Sequence, residues 1–225
     1  MNAAVPVRAV ISDFGGVLTS PLFQSFAAWQ RESGLSFESL GHAMVRAAER
    51  NEMHPLYELE KGSITEADFL RMLEAELEPG TSLSGMRDVY FEHLHPNRPM
   101  IEFMGDLRGR GLRMALLTNN VREWEPQWRA KLPELDEIFE VVVDSAFVGM
   151  RKPDPDIYAL TLERLGGGVE AAECVFVDDV DVNCDTARSL GMRAVHFVTA
   201  EQAIPDVENL LRGGEAPGHP RPDAE

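Results

Sequence analysis

What most restricts the fold of this chain is a junction repeated along it, where a short apolar run stops at polar or acidic residues. Residues 7–12 run into Asp13, "LRMALLT" at 112–118 into Asn119 and Asn120, and "ECVFVDD" at 173–179 closes on Asp178 and Asp179. "FEVVVDS" at 139–145 and "RAVHFV" at 193–198 are similar runs. Uninterrupted apolar stretches this short suit strands buried on both faces. Helical patterns lie between them, among them "PMIEFMGDLRGRG", "PQWRAKLPELDEIF" with its internal Pro133, "DPDIYALTLERLGGG" and "DVNCDTARSLG". Strand alternating with helix predicts an α/β fold, a parallel sheet with helices on both faces.

Residues 21–95 break the rhythm. "PLFQSFAAWQRESG", "SFESLGHAMVRAAERN", "TEADFLRMLEAELEPG" and "SLSGMRDVYFEHLH" all read as amphipathic helices, with Gly, Ser, Thr and Pro between them and no strand pattern. An all-helical insert directly after the first strand is placed over the carboxyl ends of the sheet, where open α/β sheets bind ligands. The predicted division is a core of residues 1–20 and 96–212, a helical cap of 21–95, and a tail of 213–225 whose Gly, Pro and charge predict disorder.

Charge narrows the partners. Asp and Glu outnumber Lys and Arg 38 to 21, a net of −17 with no basic run to offset it, so nucleic acid is not an expected partner. A small phosphorylated metabolite is still admitted, because a local cation inverts the field inside a cleft. Cys174 and Cys184 show neither metal-type nor redox-type spacing and read as reduced thiols. No stretch approaches a membrane-spanning length, and the first residues do not read as a signal peptide, so a cytoplasmic protein that does not use a membrane is expected. Oligomeric state is not readable.

Four segments place polar groups at strand ends: Asp13, the "TNN" of 118–120, "MRKPDPD" at 150–156 carrying Lys152, and the pair Asp178 and Asp179. In a parallel sheet these ends lie side by side. Carboxylates, a hydroxyl, an amide and a lysine in one volume suit phosphoryl chemistry: a divalent cation bridges carboxylates and phosphate, and one carboxylate attacks phosphorus.

In order and spacing, "DFGGVLTSP", "LLTNN", "GMRKPDPDIY" and "FVDDVDVNCDTARSLGM" resemble the four motifs of the haloacid dehalogenase-like hydrolase superfamily. They are most similar to the helical-cap branch that includes the amino-terminal phosphatase domain of soluble epoxide hydrolase and bacterial sugar-1-phosphatases. The resemblance implies a Rossmann-like core and a Mg²⁺-dependent phosphatase working through an aspartyl-phosphate. It also implies roles: Asp13 as nucleophile and metal ligand, Thr118 and Asn119 at the phosphate, Lys152 as the charge-screening lysine. Asp179 is then the direct metal carboxylate, with Asp178 and Asn183 supporting it and the Gly15 carbonyl as a further metal ligand.

Gly15 departs from the pattern, since phosphatases of this family typically carry a second Asp there as general acid and base, an effect worth typically 10²–10⁴-fold. Three consequences are open: a substrate with a better leaving group, such as an anomeric sugar phosphate or acyl phosphate; an acid lent by the insert, with His42, Glu49, His54 and Glu58 as candidates; or a phospho-ligand binding or regulatory module with little turnover. A 2-haloacid dehalogenase is disfavoured by the acidic pair Asp178 and Asp179. Lys61, the lysine of the insert, reads as a charged helix end, and His93 and His95 as hinge residues. Trp29, Trp124 and Trp128 read as packing groups, and Phe14 as packing beneath the cap.

Overall fold

A computed structural model describes residues 5–214; of the tail expected over 213–225, Gly213 N and Gly214 N donate to Leu210 O and Asn209 O, while residues 215–225 lie outside the described residues. Among these, five strands form one parallel sheet: β1 (Ala9–Ser12), β2 (Arg113–Thr118), β3 (Val141–Asp144), β4 (Cys174–Asp178) and β5 (Arg193–His196), in the order β3-β2-β1-β4-β5. The chain steps outward from β1 through β2 to β3, then returns to the other side of β1 for β4 and β5. The order therefore reverses between β1 and β4, which makes the crevice at their carboxyl ends the expected ligand site of such a sheet. Register brings those ends level, with Ser12 opposite both Leu116 and Val177.

Side chains alternate across the sheet with the period of two that strands impose. Val10, Met114, Leu116, Val175 and Val177 pack on one face, and Ala9, Ile11, Ala115, Leu117 and Phe176 on the other. Between β1 and β2 run α1 (Leu22–Ser33), α2 (Phe37–Asn51), α3 (Pro55–Glu60), α4 (Glu66–Glu74), α5 (Met86–His93) and α6 (Arg98–Gly109). There follow α7 (Glu125–Lys131), α8 (Leu135–Ile138), α9 (Ser145–Val148), α10 (Pro155–Leu165), α11 (Asp181–Ser189) and α12 (Ala200–Leu211). Helices α6, α8 and α12 cover the first face through residues such as Met104, Leu107, Ile138 and Val207; α10 and α11 cover the second through Ile157, Tyr158 and Ala187. None of the helices is long and apolar enough to cross a membrane, among the described residues.

Residues 21–95 hold five helices and, among the described residues, no strand. The chain enters and leaves this insert through two segments that run side by side. Ser20 N donates to His95 O at 2.7 Å, Asn97 N donates to Leu18 O at 2.9 Å, and the Asn97 side chain donates to Val17 O at 2.8 Å. Beyond them the apolar cluster is continuous: Trp29, Phe69, Leu73, Tyr90 and Phe91 of the insert belong to the same cluster as Val10 and Leu116 of the sheet. Helix α3 is legible in the sequence only through its end at Lys61; Pro55 stands in its first turn, where proline is tolerated. Helix α12, not among the helical patterns read from the sequence, carries Pro205 in its interior.

Leu116 is fully buried in the middle of the sheet. Leu116→Ala is expected to cost about 3 kcal/mol in equilibrium urea unfolding with the m-value unchanged, and a loss under about 1 kcal/mol would contradict this packing.

Candidate active site

The loop after β1 is built to hold one carboxylate still. The Asp13 amide donates to Val177 O at 2.9 Å, extending the ladder one residue past the strand and tying Asp13 to β4. Leu18 N donates back to Phe14 O at 2.9 Å, and Gly16 N donates to the Thr19 hydroxyl at 3.0 Å, so the following residues close into a compact turn. The two glycines of this turn have different reasons. Gly16 adopts φ +77°, and a Cβ there would overlap the Asp179 carboxylate. Gly15 takes no left-handed conformation; a Cβ on it would meet Leu22 Cδ1 at 3.1 Å. A side chain at residue 15 would therefore press on the tip of Leu22 of α1, which would have to shift by a few tenths of an ångström.

Lys152 is the pivot of the site. It is 1% exposed, and its Nζ lies 2.8 Å from Asp13 Oδ1 and 2.6 Å from Asp178 Oδ2. The other Asp178 oxygen accepts from Val180 N at 2.8 Å and Asn183 Nδ2 at 3.0 Å. Both oxygens of Asp178 are therefore engaged in holding the lysine and the start of α11. Asn119 clasps the lysine from behind: its Oδ1 accepts from Lys152 N at 2.8 Å and its Nδ2 donates to Lys152 O at 2.9 Å. Thr118, buried at the end of β2, lies on the wall of the adjoining cavity with Gly15 and Asn119.

Three carboxylates with one lysine leave an excess of negative charge. Ligand oxygens of Asp13, Asp178 and Asp179 lie within 4.8 Å of one another, and all are hard donors of the kind that hold Mg²⁺ or Ca²⁺. Burial pushes Asp13 up to about 7, with Asp178 and Asp179 adding to the rise and Lys152 opposing it. Burial and the neighbouring Asp178 push Asp179 up to about 6. Burial works against the Lys152 charge, but Asp13 and Asp178 outweigh it and hold the ammonium firmly protonated. A divalent cation fits this donor set, because it supplies the positive charge that one lysine cannot.

Above the carboxylates opens a cavity of about 370 Å³ between the insert and the sheet edge. Its wall includes Leu22, Phe26, Met44, Leu56, Phe69 and Tyr90. None of the four acid candidates named from the sequence belongs to this wall: His42 and Glu49 are exposed on α2, and His54 stacks on Tyr57 at 3.9 Å. Glu58 instead pairs with Lys61 at 2.5 Å, which makes Lys61 the ordinary charged helix end expected. The wall instead carries Glu60, Glu66 and Tyr90. Glu60 Oε2 accepts from Arg151 Nε at 2.6 Å, and burial raises its pKa more than Arg151 lowers it. Sequence alone could not separate Glu60 from Glu58, because only the docking of α3 on the core decides which faces inward.

The packing groups fall where expected. Phe14 meets Trp128 with ring centroids 5.2 Å apart, Trp124 Nε1 donates to Glu66 Oε1 at 2.7 Å, and Trp29 is buried in the insert. His93 Nδ1 lies 3.1 Å from Val89 O in its own helix.

The sequence matches the haloacid dehalogenase-like hydrolase family over residues 7–191. It is 30% identical to mouse (Mus musculus) acyl-CoA dehydrogenase family member 10 over 91% of this chain, which spans only 19% of that relative. A phosphorylated carbohydrates phosphatase of Thermotoga maritima is 28% identical, with 92% of each chain covered. Among solved structures, a HAD-family enzyme of Bacteroides thetaiotaomicron in complex with magnesium and inorganic phosphate superposes with TM-score 0.64 at 22% identity, covering 84% of this chain and 93% of that one. At that identity the likeness is one of fold. With the family match spanning most of the sequence, from β1 through α11, the chain belongs to the haloacid dehalogenase-like hydrolases.

Proposed function

We propose that this chain is a phosphatase that transfers the phosphoryl group of a small phosphate ester to Asp13 and then to water. The observation that carries the reading is the Asp13 carboxylate held 2.8 Å from a buried lysine and beside two more carboxylates, next in the chain to Phe14 and Gly15, which line a cavity. Asp13, Asp179 and the Gly15 carbonyl would hold Mg²⁺, with Asp178 supporting from behind. Bound there, magnesium supplies positive charge that screens the phosphate from the carboxylates.

The steps belong to the chain's own groups. An Asp13 oxygen forms a bond to phosphorus while the bond from phosphorus to the ester oxygen breaks, and the electron pair leaves with that oxygen. Lys152 and the Thr118 hydroxyl hold the phosphoryl oxygens during transfer, and Asn119 fixes Lys152 through its backbone. Water then attacks phosphorus, breaking its bond to the Asp13 oxygen; one water proton stays on the departing inorganic phosphate, the other passes to solvent, which returns one to the ester oxygen, and the carboxylate is restored. The relative named for phosphorylated carbohydrates supports a phosphate-ester substrate.

Residue 15 offers no proton to the departing oxygen, so turnover is expected to fall steeply from 4-nitrophenyl to phenyl to ethyl phosphate. Tyr90, on α5, is a wall phenol that burial and the charges of Asp13 and Asp179 keep protonated. A shallow leaving-group dependence that steepens in Tyr90→Phe would assign the proton to it. Asp13→Asn is expected to reduce Mg²⁺-dependent phosphate release from 4-nitrophenyl phosphate to background; unchanged release would end the proposal. A wild-type chain stabilised by phosphate esters but releasing no phosphate would instead be a binding module.

The titration of the carboxylates gives a second check. Asp13 and Asp179 bind protons more tightly folded than unfolded, so without metal their burial costs stability as pH rises from about 4 through about 7. Metal must displace those protons. Magnesium is therefore expected to raise the thermal midpoint more at about pH 8 than at about pH 5.5, measured by calorimetry, and an equal rise at both would contradict the assignment.

A further inference from the structure

The phosphate site explains one end of the substrate; the cavity beside it describes the other. Gly15, Thr118 and Asn119 line this cavity, so the pocket begins at the phosphate site and extends into the insert. Its volume of about 370 Å³ is within the usual range for a small-molecule site. The far wall is made by Phe26, Leu40, Met44, Leu56, Phe69 and Leu73, from four helices of the insert.

Four of the polar side chains on the wall, Glu60, Glu66, Asn119 and Asn120, are already engaged with the protein, which leaves the Tyr90 phenol and the Thr118 hydroxyl as its open polar groups. Glu66 accepts from Trp124 Nε1 at 2.7 Å and from Arg87 Nη1 at 3.0 Å. Asn119 spends both ends of its amide on the Lys152 backbone, and Asn120 Oδ1 accepts from Val121 N at 2.9 Å. Glu60 is paired with Arg151, whose guanidinium stacks 4.0 Å above the Tyr57 ring. A sugar placed here would bury hydroxyls against leucine, methionine and phenylalanine, at the cost of each hydrogen bond it had made with water. A hydrocarbon would lose nothing and gain from burial.

Resting on the phosphatase reading above, we propose that the substrate is a lipophilic phosphate ester, whose hydrocarbon group fills the cavity while its phosphate meets Asp13 and Lys152. This departs from the sugar phosphate suggested by sequence resemblance. Leu22 has a defined part in it: by filling the space beside Gly15, it continues the apolar wall to the edge of the phosphate site.

The test varies the chain while keeping the leaving group constant. With Mg²⁺, kcat/KM is measured for phenyl phosphate and its 4-ethyl, 4-butyl, 4-hexyl and 4-octyl derivatives, with glucose 1-phosphate and glucose 6-phosphate alongside. Dissociation constants are measured calorimetrically for ethyl-, butyl-, hexyl- and octylphosphonate. The expected result is a gain of about three- to four-fold per methylene in both series until the cavity is full. Met44→Lys, which places a charge in the half-buried far wall, is expected to reduce the octyl-to-ethyl ratio at least about ten-fold in both series. A flat dependence on chain length, or glucose phosphates turned over better than the alkylphenyl esters, would overturn the proposal. If no ester is hydrolysed, the phosphatase reading fails; the phosphonate series then decides the cavity by itself, a rising affinity supporting it and a flat one refuting it.

Discussion

The site depends on one buried ammonium held between two carboxylates. Lys152 reaches Asp13 and Asp178 together, and removing it would leave two buried carboxylates and the half-buried Asp179 side by side with no cation between them. Such a cluster is tolerable only where each charge has a partner, since an isolated buried ion is costly. The surroundings can be read as what this pairing demands. The reversal of strand order brings β1 and β4 together, so their terminal acids converge; Asn119 grips the lysine's backbone, and Asn183 with Val180 N orients Asp178. The same arrangement leaves room for one more cation, because the lysine balances only part of the negative charge.

Most of this arrangement could be read from the sequence, for a physical reason. A parallel sheet obliges every strand to be apolar on both faces, and it delivers the residues after each strand to one edge. Runs such as those before Asp13 and Asp178 thus declare the element and the meeting place at once. Helix existence was legible where caps and periodicity agreed, as at α4 with its Thr65 and Asp68 capping box. It was less legible at α3, read only through its Lys61 end, and at α12, where Pro205 interrupts the helical pattern. Which insert side chains face the site was not legible either: Glu58 and Glu60 lie two residues apart on one short helix, and only the contact with Arg151 distinguishes them.

The pair Gly15 and Gly16 shows why a glycine in sequence is ambiguous. At Gly16 the backbone demands it, through positive φ and the crowding of Asp179. At Gly15 the backbone makes no such demand, and the constraint comes from Leu22 in the neighbouring space. One glycine serves the turn; the other accompanies a change in what lines the pocket. A sequence reading treats both as freedom for the chain to curl, and only coordinates assign them separate causes.

That second glycine links chemistry to specificity. An acidic side chain at residue 15 would put a hydrated, titratable group at the boundary between phosphate site and cavity, and water with it. With glycine at residue 15 and Leu22 beside it, this part of the cavity wall is apolar, and charges near an apolar wall interact more strongly than in water. The insert closes over them with a continuous apolar cluster pinned to the core by Glu60 with Arg151 and Glu66 with Trp124. A substrate with a hydrocarbon group would complete that enclosure where a polar one would hydrate it. On the proposed phosphatase reading, the absence of an acid at residue 15 and the apolar lining beside it would go together, so that the leaving oxygen would depart without a proton from that position.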